Sequence, residues 1–265
     1  MNYKLPVFFH IPKNAGTYTY NIAFRSVFLN LLDKGRACNL EVFKNEKLSY
    51  RLICEIKNEN QKYFKMNYAS WRRTDFNDLN FNDFHIYFVE VCDVSFNSYK
   101  EDIYKNLPDV VEPYEFLILR ESYSRTQSLY SYIQSAQSSH ENHHGKFGDM
   151  TFVQYLNSEM LEGGWLIRSF IDLPNEIPIT QEHFEQVCGI LDNMLVFDVK
   201  NVDEYLKKIF GYCYDIDVIK LRADSYKNKT VGKIDTPFES LDDNTKRTFL
   251  NQVKWDNDLY ERYVY

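Results

Sequence analysis

Residues Phe8–Thr19 read FFHIPKNAGTYT, and this stretch decides how the rest of the chain is interpreted. An apolar, aromatic and β-branched run from Leu5 to Ile11 has the composition of a buried strand. Pro12 follows, and a proline cannot continue a central ladder. A short loop, Lys13-Asn14-Ala15-Gly16-Thr17, then leads into a helical pattern that begins at about Thr17. Strand, tight loop and helix start together form a cradle for a phosphate-like anion, because loop N–H groups and the positive helix end converge on one spot. Lys13 adds a full charge, and Thr17 and Thr19 add hydroxyl donors. The loop is P-loop-like without being a Walker A sequence: the first glycine of G-x-x-x-x-G-K-[ST] is missing and the lysine precedes the glycine.

A second segment, Glu115–Tyr130, reads EFLILRESYSRTQSLY. An apolar strand, Phe116–Leu119, ends in Arg120, and a helix carrying Arg125, Ser128 and Tyr130 follows. A guanidinium closing a strand and a hydroxyl eight positions on suit a second anionic group, since the guanidinium forks onto two oxygens and the hydroxyl adds a further donor.

The two segments resemble the signature loops of the carbohydrate sulfotransferases related to heparan sulfate 2-O- and 6-O-sulfotransferases. HIPKNAGT resembles that family's H-I-P-K-T-A-G-T, with Asn14 in place of the common threonine. LRESYSRTQSLY resembles L-R-D-P-x-x-R-x-x-S-x-Y, with Glu121-Ser122-Tyr123 where Asp-Pro-x is usual. The missing proline would preset the helix start, and Ser122 or Ser124 is expected to cap it instead. The resemblance implies a co-substrate, 3′-phosphoadenosine-5′-phosphosulfate (PAPS), and no metal. It assigns Lys13, Asn14, Ala15, Gly16, Thr17, Tyr18 and Thr19 to the 5′-phosphosulfate, and Arg120 and Ser128 to the 3′-phosphate. Arg125 is expected to lie elsewhere on its helix face. The activity implied is sulfuryl transfer to an acceptor hydroxyl, with a glycan as the expected partner.

Such a transfer needs a base, and a neutral imidazole suits that task near pH 7. His85, in the aromatic-flanked segment FHIYF, lies between the two motifs as the family's base does. His10, at the end of the first strand, is an alternative, as are the carboxylates Glu90 and Asp93. His140, His143 and His144 sit in a polar loop without a metal-ligand pattern, and His183 sits on a helix as an ordinary surface residue. Downstream, TFVQYL at 151–156 and Arg168 match the family weakly, and Lys227–Thr230 falls where relatives close over the nucleotide.

Composition bounds the remainder. The 265 residues carry 17% aromatics, ample for a core, and a net charge of −7, which argues against a nucleic-acid binder. Cys38, Cys54, Cys92, Cys188 and Cys213 form no C-x-x-C pair, so neither a disulfide framework nor a zinc site is expected. No signal segment or membrane-length apolar run is present, so the expectation is a cytoplasmic protein without stable membrane insertion.

Strands are expected at 51–56, 62–69, 85–91, 114–119 and 194–199, and helices at 124–137, 152–160, 165–171, 181–191 and 202–210, with a terminal helix or pair at 242–263. Thr180 should cap the 181–191 helix. The alternation gives an α/β, three-layer architecture with a mainly parallel central sheet, in a single domain over residues 1–265. Two other classes stay open: a P-loop-like nucleotide kinase or NTPase, and a catalytically inactive nucleotide-binding relative.

Overall fold

The computed structural model describes residues 3–11, 14–15, 19, 37–43, 51–57, 63–70, 86–91, 111–134, 150–161, 163–214 and 234–264. Seven strands form one sheet: β1 (Tyr3–Phe9), β2 (Ala37–Phe43), β3 (Arg51–Lys57), β4 (Tyr63–Ser70), β5 (Ile86–Val91), β6 (Val111–Leu119) and β7 (Leu195–Asp198), in the order β2-β3-β4-β5-β1-β6-β7. The pairs β4–β5, β5–β1, β1–β6 and β6–β7 are parallel, while β2–β3 and β3–β4 are antiparallel. The sheet is therefore mainly parallel, as expected. β2 is an addition to the expected strands: in its sequence, ACNLEVF, Cys38, Leu40 and Val42 alternate with Asn39 and Glu41, and it pairs antiparallel with β3.

Prolines show why the central strands tolerate their sequences. Pro6 precedes the β1–β5 ladder, which starts at Val7, and Pro113 precedes the β6–β7 ladder, which starts at Phe116. Each stands where its strand is paired on one side only, the edge-like setting to which strand prolines are confined.

Helices α1 (Ser122–Gln134), α2 (Phe152–Leu156), α3 (Trp165–Ile171), α4 (Gln181–Leu191), α5 (Val202–Tyr214), α6 (Asp243–Gln252) and α7 (Lys254–Val264) follow the expected order. The terminal segment is a pair, broken at Val253. Thr180 caps α4 in a box with His183, whose Nδ1 accepts from the Thr180 N–H at 3.2 Å. That accounts for His183 as a structural residue.

Strand alternation sends side chains to two cores, one on each face of the sheet. Val7, Phe9, Leu117 and Leu119 pack with Leu166, Ile167 and Phe170 of α3, Val187 and Leu191 of α4, and Leu259 and Tyr260 of α7. Phe8, Phe116, Ile118 and Phe197 face the other way onto Leu206 and Ile209 of α5. On that face Phe8 stacks on Phe116 at 5.0 Å, and Phe197 stacks on Tyr205 at 4.5 Å. Tyr123 and Tyr130 of α1 join Phe152, Tyr155 and Phe249 in a satellite cluster.

One close approach fixes how α6 meets the turn before α3. A Cβ added to Gly163 would lie 1.7 Å from the Gln252 carbonyl oxygen, a rigid backbone atom. Gly163→Ala is therefore expected to cost about 1–3 kcal/mol or more, read as a lower urea midpoint with an unchanged slope.

Candidate functional site

The parallel pairing of β1 with β6 sets the site. Its register runs from Tyr3↔Val111 to Phe9↔Leu117, so both chains leave the sheet at the same, carboxyl-terminal edge. From β1 the connection leads to the β2–β5 side, whereas from β6 it leads to β7 on the other side. Such a divergence opens a crevice at the carboxyl ends of the strands, where open α/β sheets take their ligands.

The chain after β1 is fixed by three contacts. Asn14 N–H donates to the Ile11 carbonyl at 3.0 Å, and Asn14 Nδ2 donates to the Ile118 carbonyl of β6 at 2.9 Å. Ala15 then adopts a left-handed φ of 62°, and Thr19 N–H donates to the Ala15 carbonyl at 2.8 Å. A left-handed alanine carries a steric cost that glycine would not, so the tight reversal is held by its surroundings. Asn14 Oδ1 and Thr19 Oγ1 are buried and have no hydrogen-bond partner among the described residues. Lys13, Gly16, Thr17, Tyr18 and His85 lie outside the described residues, as do Asp93, His140, His143, His144 and Lys227–Thr230.

Across the crevice, Arg120 ends β6 half-buried, and its Nε donates to Ser124 Oγ at 2.9 Å. Loss of solvation draws its guanidinium below the ordinary arginine value, Glu121 and Asp198 oppose that shift, and Arg125 adds to it. The guanidinium stays cationic at neutral pH. The expected cap of α1 is corrected here. Glu121, not Ser122 or Ser124, closes the helix start: its two carboxylate oxygens accept from Tyr123 N–H and Ser124 N–H, each at 2.8 Å. Glutamate's extra methylene lets the carboxylate reach both amides, and a negative group there also suits the helix dipole.

Arg120 and Arg125 line one cavity of about 30 Å3 with Asn14, Ser122, Asp256 and Tyr260. That volume suits one end of a ligand rather than a whole one. Arg125 does not lie elsewhere on its helix face; it lines the cavity with Arg120, its guanidinium 5.4 Å from the Trp165 ring centre. Ser128 is half-buried one turn beyond Ser124 and is not among the lining residues. His10 also lies off the cavity: its ring stacks on Phe8 at 5.3 Å, and Phe8 belongs to the core on the α5 face. Arg168 is likewise occupied elsewhere, donating from Nη1 to the carbonyls of Pro174 and Ile177.

Sequence reasoning missed the acidic residues that approach from the C-terminal third. Asp256 of α7 accepts from Gly164 N–H at 2.8 Å and Leu166 N–H at 3.4 Å, fixing the start of α3 beside the cavity. Burial raises its carboxyl above the ordinary value, against the pull of Arg125 and of the Gly164, Leu166 and Trp165 N–H groups. Asp198, at the end of β7, accepts from Tyr260 Oη at 2.6 Å and from Lys200 N–H at 3.0 Å. No spacing signal in the sequence links these residues to Arg120.

Two neighbouring guanidiniums, flanked by serine hydroxyls and oriented carboxylates, can hold an anionic oxygen cluster by charge-assisted hydrogen bonds. Among the described residues no group of His, Cys, Asp and Glu side chains could hold a metal ion, and no helix is long and apolar enough to cross a membrane. Comparison with protein-family models, curated proteins and solved structures found no match for this chain.

The carboxyl of Asp256 gives a pH-dependent test. A carboxyl whose folded value is raised above its ordinary 3.8 contributes fully to stability below that value, and the contribution is lost as pH rises through the raised value. As pH rises above about 4, urea midpoints of the wild type should therefore fall by more than those of Asp256→Asn.

Proposed function

We propose that the chain is a PAPS-dependent O-sulfotransferase acting on a hydroxyl of a carbohydrate acceptor. One observation carries the reading. The two segments that resemble the sulfotransferase signatures lie far apart in sequence, yet the loop residue Asn14 is hydrogen-bonded to Ile118, two residues before Arg120. Two anion-binding segments at the diverging ends of adjacent parallel strands suit a nucleotide with an anionic group at each end. The donor set fits such a group: Arg120 and Arg125 sit at one cavity, and the buried Thr19 hydroxyl near the loop has no partner among the described residues.

In this reading Arg120 and Arg125 hold the 3′-phosphate, with Ser122 and Ser124 beside them. The assignments of Lys13, Gly16, Thr17, Tyr18 and Thr19 to the 5′-phosphosulfate, of Ser128 to the 3′-phosphate, and of His85 as base rest on the sequence resemblance. The acceptor oxygen attacks sulfur opposite the bridging oxygen. A new S–O bond forms as the bond from sulfur to the 5′-phosphate oxygen breaks, and the acceptor proton passes to the base. Charge gathers on the departing phosphate, where Lys13 and the loop N–H groups would stabilise it more in the transition state than in the ground state.

Calorimetry and thermal melting test the nucleotide assignment. 3′-Phosphoadenosine-5′-phosphate should bind and stabilise the fold by about 2.7 kcal/mol at a hundredfold excess over its dissociation constant. Adenosine 5′-phosphate and ATP should bind far more weakly, and equal binding of all three would remove the assignment. Because both guanidiniums line the cavity, Arg120→Ala and Arg125→Ala should each weaken the bisphosphate by about 2–5 kcal/mol. A harmless Arg125→Ala would limit the phosphate contact to Arg120.

Transfer itself is read by mass spectrometry on a glycan panel. His85→Ala should slow it by about 10²–10⁴-fold with little change in nucleotide affinity. Near-normal turnover in that variant would move the base to another group.

A further inference from the structure

We infer that Asn14 is a positioning residue whose amide pins the chain after β1 to the end of β6, setting the separation at which two anionic groups of one ligand are held. The inference rests on the PAPS reading for the identity of that ligand, and on the geometry for the tether itself. The β1–β6 ladder stops at Phe9↔Leu117, one residue short of Ile118. Asn14 supplies a donor there, its Nδ2 lying 2.9 Å from the Ile118 carbonyl. The contact is almost wholly shielded, with Asn14 only 1% exposed. In a shielded setting a hydrogen bond is electrostatically stronger and less open to competition from water.

The surrounding backbone leaves the tether little slack. Asn14 N–H closes a turn onto Ile11, left-handed Ala15 follows directly, and Thr19 N–H bonds back to Ala15. On the other side, Arg120 is only two residues beyond Ile118, and its Nε is bonded to Ser124 on α1. The side-chain amide of Asn14 thus makes a direct hydrogen bond between the loop of the first motif and the strand end of the second. Asn14 also lines the cavity that holds Arg120 and Arg125, with an Oδ1 that has no partner among the described residues. Its nitrogen being committed to Ile118, Asn14 acts on the ligand chiefly through placement.

A tether of this kind matters for a ligand gripped at both ends and much less for one gripped at one end, because it sets the effective concentration of the second contact once the first is made. Asn14→Leu keeps the approximate shape and removes the donor, and Asn14→Ala removes both. The readout is the pair of dissociation constants for 3′-phosphoadenosine-5′-phosphate and adenosine 5′-phosphate. The bisphosphate should lose about tenfold or more in both variants, while the monophosphate changes by less than about threefold. Equal losses for the two ligands, or no loss, would overturn the inference, as would collapse of helical circular dichroism in both variants, which marks a folding residue.

If the wild type binds neither nucleotide, the PAPS reading fails by itself. The tether is then judged by amide hydrogen exchange. Asn14→Leu should speed exchange at Ala15, Thr19 and Arg120 by about tenfold while leaving α4 unchanged, and exchange identical to the wild type would overturn it.

Discussion

The ladder between β1 and β6 is the constraint on which the rest of the molecule depends. Seven residues of β1 pair in register with β6, and that register sends Phe8 and Phe116 to one face and Phe9 and Leu117 to the other. A slip of one residue would exchange the faces of every side chain in the strand, so the two cores specify the register as firmly as the hydrogen bonds do. The same alignment brings Ile11 and Asn14 to the level of Leu119 and Arg120. Core packing and site geometry are therefore set by a single pairing.

Charge at the cavity is arranged with similar economy. The chain carries a net charge of −7, yet two arginines share one small, half-buried space. Three carboxylates surround them, and each also serves the backbone: Glu121 closes the start of α1, Asp198 accepts the Lys200 N–H, and Asp256 accepts N–H groups at the start of α3. The carboxylates thus serve the backbone and the charge of the guanidiniums together.

Much of the fold can be read from sequence, for reasons that differ by element. β6 and α4 are continuous patterns, an apolar run and a capped amphipathic helix, and both lie close to where the pattern puts them. β2 is different: its alternation of Cys38, Leu40 and Val42 with Asn39 and Glu41 spans only five residues between charged flanks, and pairing with β3 makes it a strand. Arg120 is visible as a cation closing an apolar strand. Arg125 is visible as a residue but not as a partner of Arg120, because its setting is made by Trp165 and Asp256, much later in the chain. Glu121 shows how reach can override preference: serine is the commoner cap, yet the longer carboxylate satisfies two amides at once. Local chemistry thus revealed the anchors of the candidate site, and tertiary return of the chain supplied its walls.

The position of α7 has a consequence for how the protein can be made. Leu259 and Tyr260 lie in the same core as Val7 and Phe9, and Tyr260 also completes the partners of Asp198. Tyr263 Oη bonds the Cys188 carbonyl at 2.8 Å and Asp192 at 2.7 Å, clasping α7 to α4. A ribosome releases these residues long after it has released β1. Until then only α3 and α4 can cover that face of the central sheet, and Val7, Phe9 and Leu117 lack the contacts that α7 supplies. Cover from α7 therefore reaches the sheet late, after the strands and helices it joins have been made.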